Sequence, residues 1–279
     1  MIYPNRSQSA DDVRLHYNEL DEPYRRLWGE HVHHGYWATG RESDADAAER
    51  LTELVRERLD LGSAMRVCDI GCGYGLTGAY LARRDQVDVT GFTLSDAQAE
   101  RAQARGGGFT AFRRDWLDNG LPDASFDRAY AIESSEHMVD KPRFFSEAFR
   151  VLRPGGLLVV CAWLEGEGAT DWQKRHLLEP ICREGRLPSM GSRADYEALA
   201  AAAGFEPRSY DDISRNVRRT WWLCTRRLAA SLVTDPAIRR LALSRTTRNR
   251  DFILSLPRLI LALRSGAMRY GIFVWEKPV

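Results

Sequence analysis

The residues with the most chemical potential lie in one short run, Val67-Cys68-Asp69-Ile70-Gly71-Cys72-Gly73-Tyr74-Gly75. An acid closes an apolar segment, and glycines follow at alternate positions before a helical pattern begins. Glycine lets the backbone approach a ligand closely and adopt conformations closed to other residues. In open parallel sheets the crevice beyond the carboxyl ends of the strands is where ligands bind. Asp69 would place there a negative charge suited to a cationic ammonium group. The stretch Gly73-Tyr74-Gly75-Leu76-Thr77-Gly78 also spells the dinucleotide-binding fingerprint, so a nicotinamide oxidoreductase stands as an alternative. Such an enzyme usually carries an acid at the end of the second strand for the ribose. Here that region reads Gly91-Phe92-Thr93-Leu94-Ser95, with no acid before Asp96.

Further polar groups follow at intervals. Phe112-Arg113-Arg114-Asp115-Trp116 puts Asp115 just past a third apolar run, where its carboxylate suits an adenine amino group. Glu133-Ser134-Ser135-Glu136-His137-Met138 follows a fourth run, and His137 is the candidate general base. The plainer alternative is that His137 only hydrogen-bonds the chain after the strand. Glu133 has a better claim to cofactor contact than to proton transfer. The fifth run ends at Trp163 and not at an acid, so a His–Asp pair is not supplied there. His31, His33 and His34 lack a cysteine or carboxylate set at metal-ligand spacing. They read as part of a gate or as solvated histidines, and no metal is expected.

The elements that must position these groups are legible as alternation. Met65–Ile70, Val87–Phe92, Phe109–Phe112, Phe126–Ile132 and Leu157–Trp163 have strand character. Gly71–Arg84, Asp96–Ala104 and Lys141–Val151 read as the helices between them. That order predicts an α/β fold with a doubly wound, mostly parallel sheet. Ahead of it, a helical opening runs to about Gly35, and Asp44–Leu59 carries Leu51, Leu54, Val55 and Leu59 on one helical face. After Trp163, Asp171–Glu184 and Arg193–Ala203 read as helices and Glu206–Ser209 as the opening of a strand. Arg150 to Gly156 reads as a tight turn into the fifth strand. An arginine-rich helical stretch, Ser214 to about Ser265, reads as a lid before a closing strand at Tyr270–Trp275. The expected organisation is one domain, 1–279. It comprises an N-terminal helical gate (1–60), a cofactor-binding core (61–164), acceptor-binding helices and lid (165–269) and the closing strand (270–279).

Bulk composition narrows the partners. With 40 basic and 39 acidic side chains the net charge is +1, which lacks the basic excess usual for nucleic-acid binding. A small-molecule acceptor is expected instead. Five cysteines without paired spacing read as reduced thiols, and Cys68 and Cys161 as core residues. Met1–Ala10 is polar and lacks a signal-peptide pattern, and Phe252–Leu263 is too short to span a bilayer. The expected compartment is the cytoplasm.

Together these residues resemble the class I S-adenosylmethionine-dependent methyltransferase superfamily. More narrowly the chain is similar to the gamma-tocopherol methyltransferase group and its alkaloid N-methyltransferase relatives. The likeness rests on His33-His34-Gly35-Tyr36-Trp37, the glycine loop, Thr93-Leu94-Ser95 with Gln98, and Glu133 to Met138. It continues through Leu187-Pro188 to Tyr270-Gly271-Ile272-Phe273 and Glu276-Lys277-Pro278. The resemblance implies S-adenosyl-L-methionine as cofactor and S-adenosyl-L-homocysteine as product. It implies that Asp69, Gly71, Gly73 and Gly75 hold the methionine portion, and that Thr93, Leu94 and Gln98 contact ribose and adenine. Asp115 and Trp116 would bracket the adenine. Glu133 and His137 would face the sulfonium and the acceptor, and Tyr17 and Tyr36 would belong to a gate over the cofactor.

The expected reaction is methylation of carbon or nitrogen in a small hydrophobic aromatic or isoprenoid-bearing acceptor, in specialised metabolism. Methylation of a prenyl alkene through a carbocation is an alternative within the class. A cofactor-binding protein without turnover is another outside it. Trp163, Trp221 and Trp222, with Phe252, Leu256 and Leu259, would line an apolar acceptor pocket or else form lid core. The arginines from Arg215 to Arg250 read as a solvated face, with capture of an anionic group or peripheral membrane contact as the functional alternative.

Overall fold

The computed structural model describes residues 1–29, 31–243 and 255–279. Seven strands form one sheet in the order β3-β2-β1-β4-β5-β7-β6. They are β1 (Arg66–Ile70), β2 (Asp88–Thr93), β3 (Phe109–Arg113), β4 (Phe126–Ile132), β5 (Leu152–Glu165), β6 (Glu206–Asp212) and β7 (Met268–Glu276). Strands β1 to β5 run parallel, while β7 runs antiparallel to both β5 and β6. The central strands are buried on both faces, which is why they read as unbroken apolar runs rather than as alternation. From β1 the chain moves outward through β2 and β3, then returns to the other side of β1 as β4. The crevice at that reversal, beyond the carboxyl ends of β1 and β4, is where an open sheet of this kind holds its ligand.

Helices cover both faces. On the chain they are α1 (Ala10–Glu19), α2 (Asp21–Leu27), α3 (Asp44–Leu59), α4 (Leu76–Asp85), α5 (Asp96–Gln103) and α6 (Lys141–Val151). Helix α3 starts at Ser43, whose side chain accepts from the Asp46 amide, and buries Leu51, Val55 and Leu59. Helix α6 starts at Asp140 in the same way and buries Phe144, Phe145 and Ala148. The expected helix from Gly71 begins five residues later, because Gly71, Gly73 and Gly75 all have φ between +52° and +87°. Strand β5 begins at Leu152 rather than Leu157, so the glycines at 155 and 156 lie within the strand, beside a register shift against β4.

The second half departs further from expectation. Asp171–Glu184 is one helical run interrupted by a π-helical turn, giving α7 (Asp171–Gln173), the turn Lys174–Leu178 and α8 (Glu179–Glu184). After α9 (Arg193–Ala202), the edge strand β6 continues to Asp212. Among the described residues the lid comprises α10 (Ser214–Val217), α11 (Arg219–Thr234), α12 (Pro236–Leu243) and α13 (Leu256–Ser265). Pro236 and Pro257, each at a helix start where the missing N–H costs nothing, set two of those boundaries. Phe252, Arg245, Arg248 and Arg250 lie outside the described residues. All five cysteines are free and buried.

Candidate active site

The glycine turn after β1 is shaped by what surrounds it. A Cβ at Gly71 would stand 2.3 Å from the Ser134 side chain, and one at Gly75 would stand 2.4 Å from the Phe109 ring. Gly75 therefore supports the turn from behind, while Gly71 and Gly73 line the cleft itself. The amides of Gly71 and Cys72 both donate to the Phe92 carbonyl at 3.0 and 2.8 Å, tying the turn to β2. At the end of β1, the Asp69 carboxylate is buried and accepts from the Tyr130 hydroxyl at 2.6 Å. Burial pushes this carboxyl up to about 7, against the pull of Tyr130. A buried carboxyl with one partner and a raised pKa is an acid prepared for a cationic partner.

From this turn a cleft of about 660 Å³ runs past Thr93, Leu94 and Gln98 to Asp115 and Trp116. Thr93 donates from Oγ1 to Gln98 Oε1 at 2.9 Å, so a hydroxyl–amide pair stands where a dinucleotide enzyme would place an acid. Asp115 caps a short 3₁₀ turn, accepting from the Leu117 amide at 2.9 Å. The Trp116 indole donates to the Phe144 carbonyl at 3.3 Å, which fixes its ring at the cleft edge. Val13 and Tyr17 of α1 complete the lining from above.

A second cavity of about 430 Å³ adjoins the first and shares Tyr17, Val32, Glu133 and His137 with it. Its other walls are Tyr24, Trp28, Trp163, Leu187 and Glu136, with Gly185 at the rim. Tyr17 and His137 thus stand at the neck between the two spaces. Burial and the nearby Glu133 and Glu136 carboxylates push the Tyr17 phenol well up, so it keeps its proton and donates to His137 Nε2 at 2.8 Å. His137 Nδ1 faces the Arg186 carbonyl at 3.4 Å, which orients the ring. Burial lowers the His137 pKa to about 4, with that carbonyl opposing, so the imidazole is neutral at pH 7.

Glu133 sits on a left-handed backbone (φ 53°) and accepts four hydrogen bonds. Donors to Oε1 are the His34 amide at 2.6 Å and the Tyr270 hydroxyl at 2.8 Å. Donors to Oε2 are His34 Nδ1 at 2.9 Å and the Trp163 indole at 3.1 Å. Burial alone would raise this carboxyl, but His34 and His33 hold it down at about 2. A carboxylate so committed joins the segment 31–37 to the ends of β4, β5 and β7; it is not free to take a proton. Beside it, Glu136 is buried and accepts from the Trp163 amide at 2.7 Å and from Ser135 Oγ at 3.0 Å. Burial pushes Glu136 up to about 7. Lys141 is buried too, donating to the carbonyls of Glu136, Met138 and Ser189, and burial brings it down to about 8.

Several expected site residues stand elsewhere. Trp222 is 57% exposed and lines neither cavity, because it faces outward from α11 while its neighbour faces inward. Trp221 is fully buried with ring centroids 4.8 Å from Trp28, 5.1 Å from His34 and 5.4 Å from Trp163; it packs behind the second cavity. Tyr36 lies outside both cavities and its amide donates to Ala47, anchoring the segment to α3. Leu259 is lid core, and Leu256 joins Leu20, Tyr24, Trp28 and Cys224 around a third, apolar space. His33 and His34 are buried, not solvated, since each is held by a backbone or carboxylate partner. Sequence reasoning missed Glu136, Tyr24, Trp28, Val32 and Leu187. Glu136 adjoins His137 in the sequence, but the helical aromatics carry no local signal of a cavity wall.

A doubly wound sheet with an antiparallel seventh strand, a glycine turn after β1 and a cleft ending at Asp115 defines the class I methyltransferase architecture. Residues 41–210 match the family described as "Methyltransferase domain", and the chain belongs to it. It is an S-adenosylmethionine-dependent methyltransferase. The chain is 34% identical to the 27-O-demethylrifamycin SV methyltransferase of Amycolatopsis mediterranei (strain S699), across 76% of this chain and 80% of that protein. It is 28% identical to the chloroplastic tocopherol O-methyltransferase of Arabidopsis thaliana, across 94% and 81%. Its fold matches the mycolic acid cyclopropane synthase CmaA1, solved with S-adenosylhomocysteine, at a TM-score of 0.85 and 21% identity, across 98% and 99%. The nicotinamide alternative falls with this membership. The residues present fit S-adenosylmethionine on their own evidence: there is open space above Gly73, and the buried Asp69 lines an adjoining space that shares Gly71 and Gly73 with the cleft.

Proposed function

We propose that the chain methylates a hydroxyl-bearing, apolar small molecule, at oxygen or at the ring carbon of a phenol, held in the cavity beyond Tyr17 and His137. The observation that carries this reading is the 2.8 Å contact between the Tyr17 hydroxyl and His137 Nε2 at the neck between the two spaces. When bound, S-adenosylmethionine supplies an electrophilic methyl group. The protein's part is to align the acceptor, exclude water and remove a proton.

In this reading Asp69 takes the ammonium of the methionine portion, and Gly71 and Gly73 let the backbone approach it. Thr93, Leu94 and Gln98 face the ribose, and Asp115 and Trp116 face the adenine. Tyr17 accepts the acceptor's proton at its oxygen while passing its own to His137 Nε2. A hydroxyl oxygen becomes strongly acidic as it gains a methyl group, so an imidazole of pKa about 4 is a sufficient base. At a phenol's ring carbon the conjugated hydroxyl becomes acidic in the same way and gives its proton to this path. The ring C–H proton lost on rearomatisation returns to that oxygen. Glu133 is a positioning residue rather than an acid or base. The second cavity has no lysine or arginine among its described lining residues, which disfavours a prenyl diphosphate acceptor. Its rings, with Tyr17 and Tyr24 stacked at 5.7 Å, suit a neutral apolar body.

The test is a panel of methyl acceptors (phenols, hydroxylated polyketides, amines and prenyl diphosphates) assayed with S-adenosylmethionine by mass spectrometry. Methylation of neutral hydroxylated compounds, lost in His137→Ala with S-adenosylhomocysteine affinity intact, is the expected result. Turnover confined to prenyl diphosphates, or undiminished in His137→Ala, would overturn it.

A further inference from the structure

The lid helix α11 is apolar on two opposite faces. Thr220, Trp221, Cys224 and Leu228 are buried against the body of the protein. Across the helix, Arg219, Trp222, Arg226, Ala229, Ala230 and Val233 recur at three- and four-residue spacing and all face solvent. Trp222 is 57% exposed and Val233 is 75% exposed, so two large apolar side chains lie uncovered on one helix. A surface helix ordinarily pairs its inner apolar stripe with a charged outer face. Here the outer face is tryptophan, alanine and valine interspersed with arginine.

The charge around that face is lopsided. Between Ser214 and Leu243 stand seven arginines and a single acid, Asp235, although the whole chain carries a net charge of only +1. Asp235 is already paired with Arg26. Arg215, Arg218, Arg226 and Arg240 are exposed and make no ion pair with any described residue, while Arg219 caps the Gly40 carbonyl. The rest of the chain therefore carries net negative charge, and positive charge is concentrated in the segment that contains α11. No helix among the described residues is long and apolar enough to cross a membrane. A sixteen-residue helix with an arginine-flanked apolar face has the form that lies in the plane of an anionic bilayer, burying its aromatic and aliphatic side chains just below the headgroups.

The inner side of the same helix leads toward the site. Cys224 lines the third apolar space together with Leu20, Pro23, Tyr24, Leu27, Trp28 and Leu256. Tyr24 and Trp28 are also walls of the acceptor cavity. We infer that the outer face of α11 docks on an anionic lipid surface, from which a lipophilic acceptor reaches the cavity beneath that helix. This rests on the reading of the acceptor as apolar, but the docking itself is measurable without any acceptor.

The experiment is co-sedimentation of the full chain with phosphatidylcholine vesicles, with and without phosphatidylglycerol, at low and high salt. Binding confined to the anionic vesicles is expected. Arg218→Glu and Arg226→Glu should each weaken it by at least about fivefold, since a basic residue near such a surface contributes on the order of 1 kcal/mol. Trp222→Ser and Val233→Ser should weaken it comparably, and brominated acyl chains should quench a tryptophan signal that Trp222→Phe removes. S-adenosylhomocysteine affinity should be unchanged in every variant, which verifies folding. Absence of binding to anionic vesicles at low salt would overturn the inference. So would adsorption that depends on the arginines but not on Trp222, which would indicate an electrostatic dock for an acidic protein instead. A failed acceptor panel with intact vesicle binding would remove the proposed acceptor and leave the docking standing.

Discussion

The two cavities that meet at Tyr17 and His137 are built in opposite ways. The cofactor cleft is made from short contiguous segments at the carboxyl ends of β1 to β4, and much of its surface is backbone. Glycines shape its inner end, and Asp69 and Asp115 are fixed by one hydrogen bond each to a neighbouring strand or turn. The second cavity, which we read as the acceptor's, is made of large side chains from α1, α2, the segment after β4, β5 and the 185–187 segment. They are brought together by tertiary packing and by hydrogen bonds between residues distant in the chain. Holding a common cofactor requires fixed backbone, whereas holding a particular acceptor requires side chains that can be exchanged without disturbing the sheet. The difference predicts that variants in the first cavity change cofactor affinity and those in the second change turnover or acceptor choice.

The largest effect is expected at the neck. His137→Ala should lower kcat by on the order of 10² to 10⁴, the usual range for loss of a positioned proton acceptor. Calorimetric affinity for S-adenosylhomocysteine should stay near wild type. A parallel loss of affinity would mean that the two cavities are not separable at this residue. Tyr17→Phe removes the hydroxyl through which the acceptor's proton reaches His137. It should lower kcat about as much as His137→Ala, by on the order of 10² to 10⁴, leaving cofactor affinity close to wild type in calorimetry.

Asp69→Ala should weaken S-adenosylhomocysteine binding by roughly a hundredfold, as loss of a buried charge partner implies. Its pH dependence sharpens the point. The carboxyl is raised to about 7, and the ionised form is the one that attracts an ammonium. Affinity should therefore be full above pH 7 and fall as pH drops through it. In Asp69→Asn that dependence should flatten. Titrations at several pH values between 5.5 and 8.5 decide this.

Glu133→Gln tests whether the carboxylate between the cavities is structural. Losing its charge while His34, Tyr270 and Trp163 remain should cost about 2 kcal/mol of stability, from the size of charge-assisted hydrogen bonds. Urea denaturation measures it, and an unchanged midpoint would return Glu133 to the list of possible proton acceptors.

What could be read from residue order follows the same division. The structure places Asp69, the glycines, Thr93, Gln98, Asp115 and His137 at the carboxyl edge of the sheet, where residue order puts them, because a strand end followed by a turn fixes both backbone path and side-chain direction within a few residues. The start of α4 was misplaced because the glycine turn keeps positive φ angles that a periodicity count reads as helix. Trp222 was misassigned because neighbours on a helix are separated by about 100°, and composition does not say which of two tryptophans faces in. Glu133 was recognised as a site residue, but its four donors come from residues 34, 163 and 270, and nothing local reveals that they converge.

The sequence by itself determined the doubly wound sheet, the cofactor cleft and the family, since these rest on local period and on turns whose geometry only glycine and a few polar residues satisfy. Only the tertiary structure decided the second cavity, the committed state of Glu133 and the outward face of α11. Each depends on which side chains distant in the chain are buried together, and burial sets both the hydrogen-bond partners and the charge state that give those residues their roles.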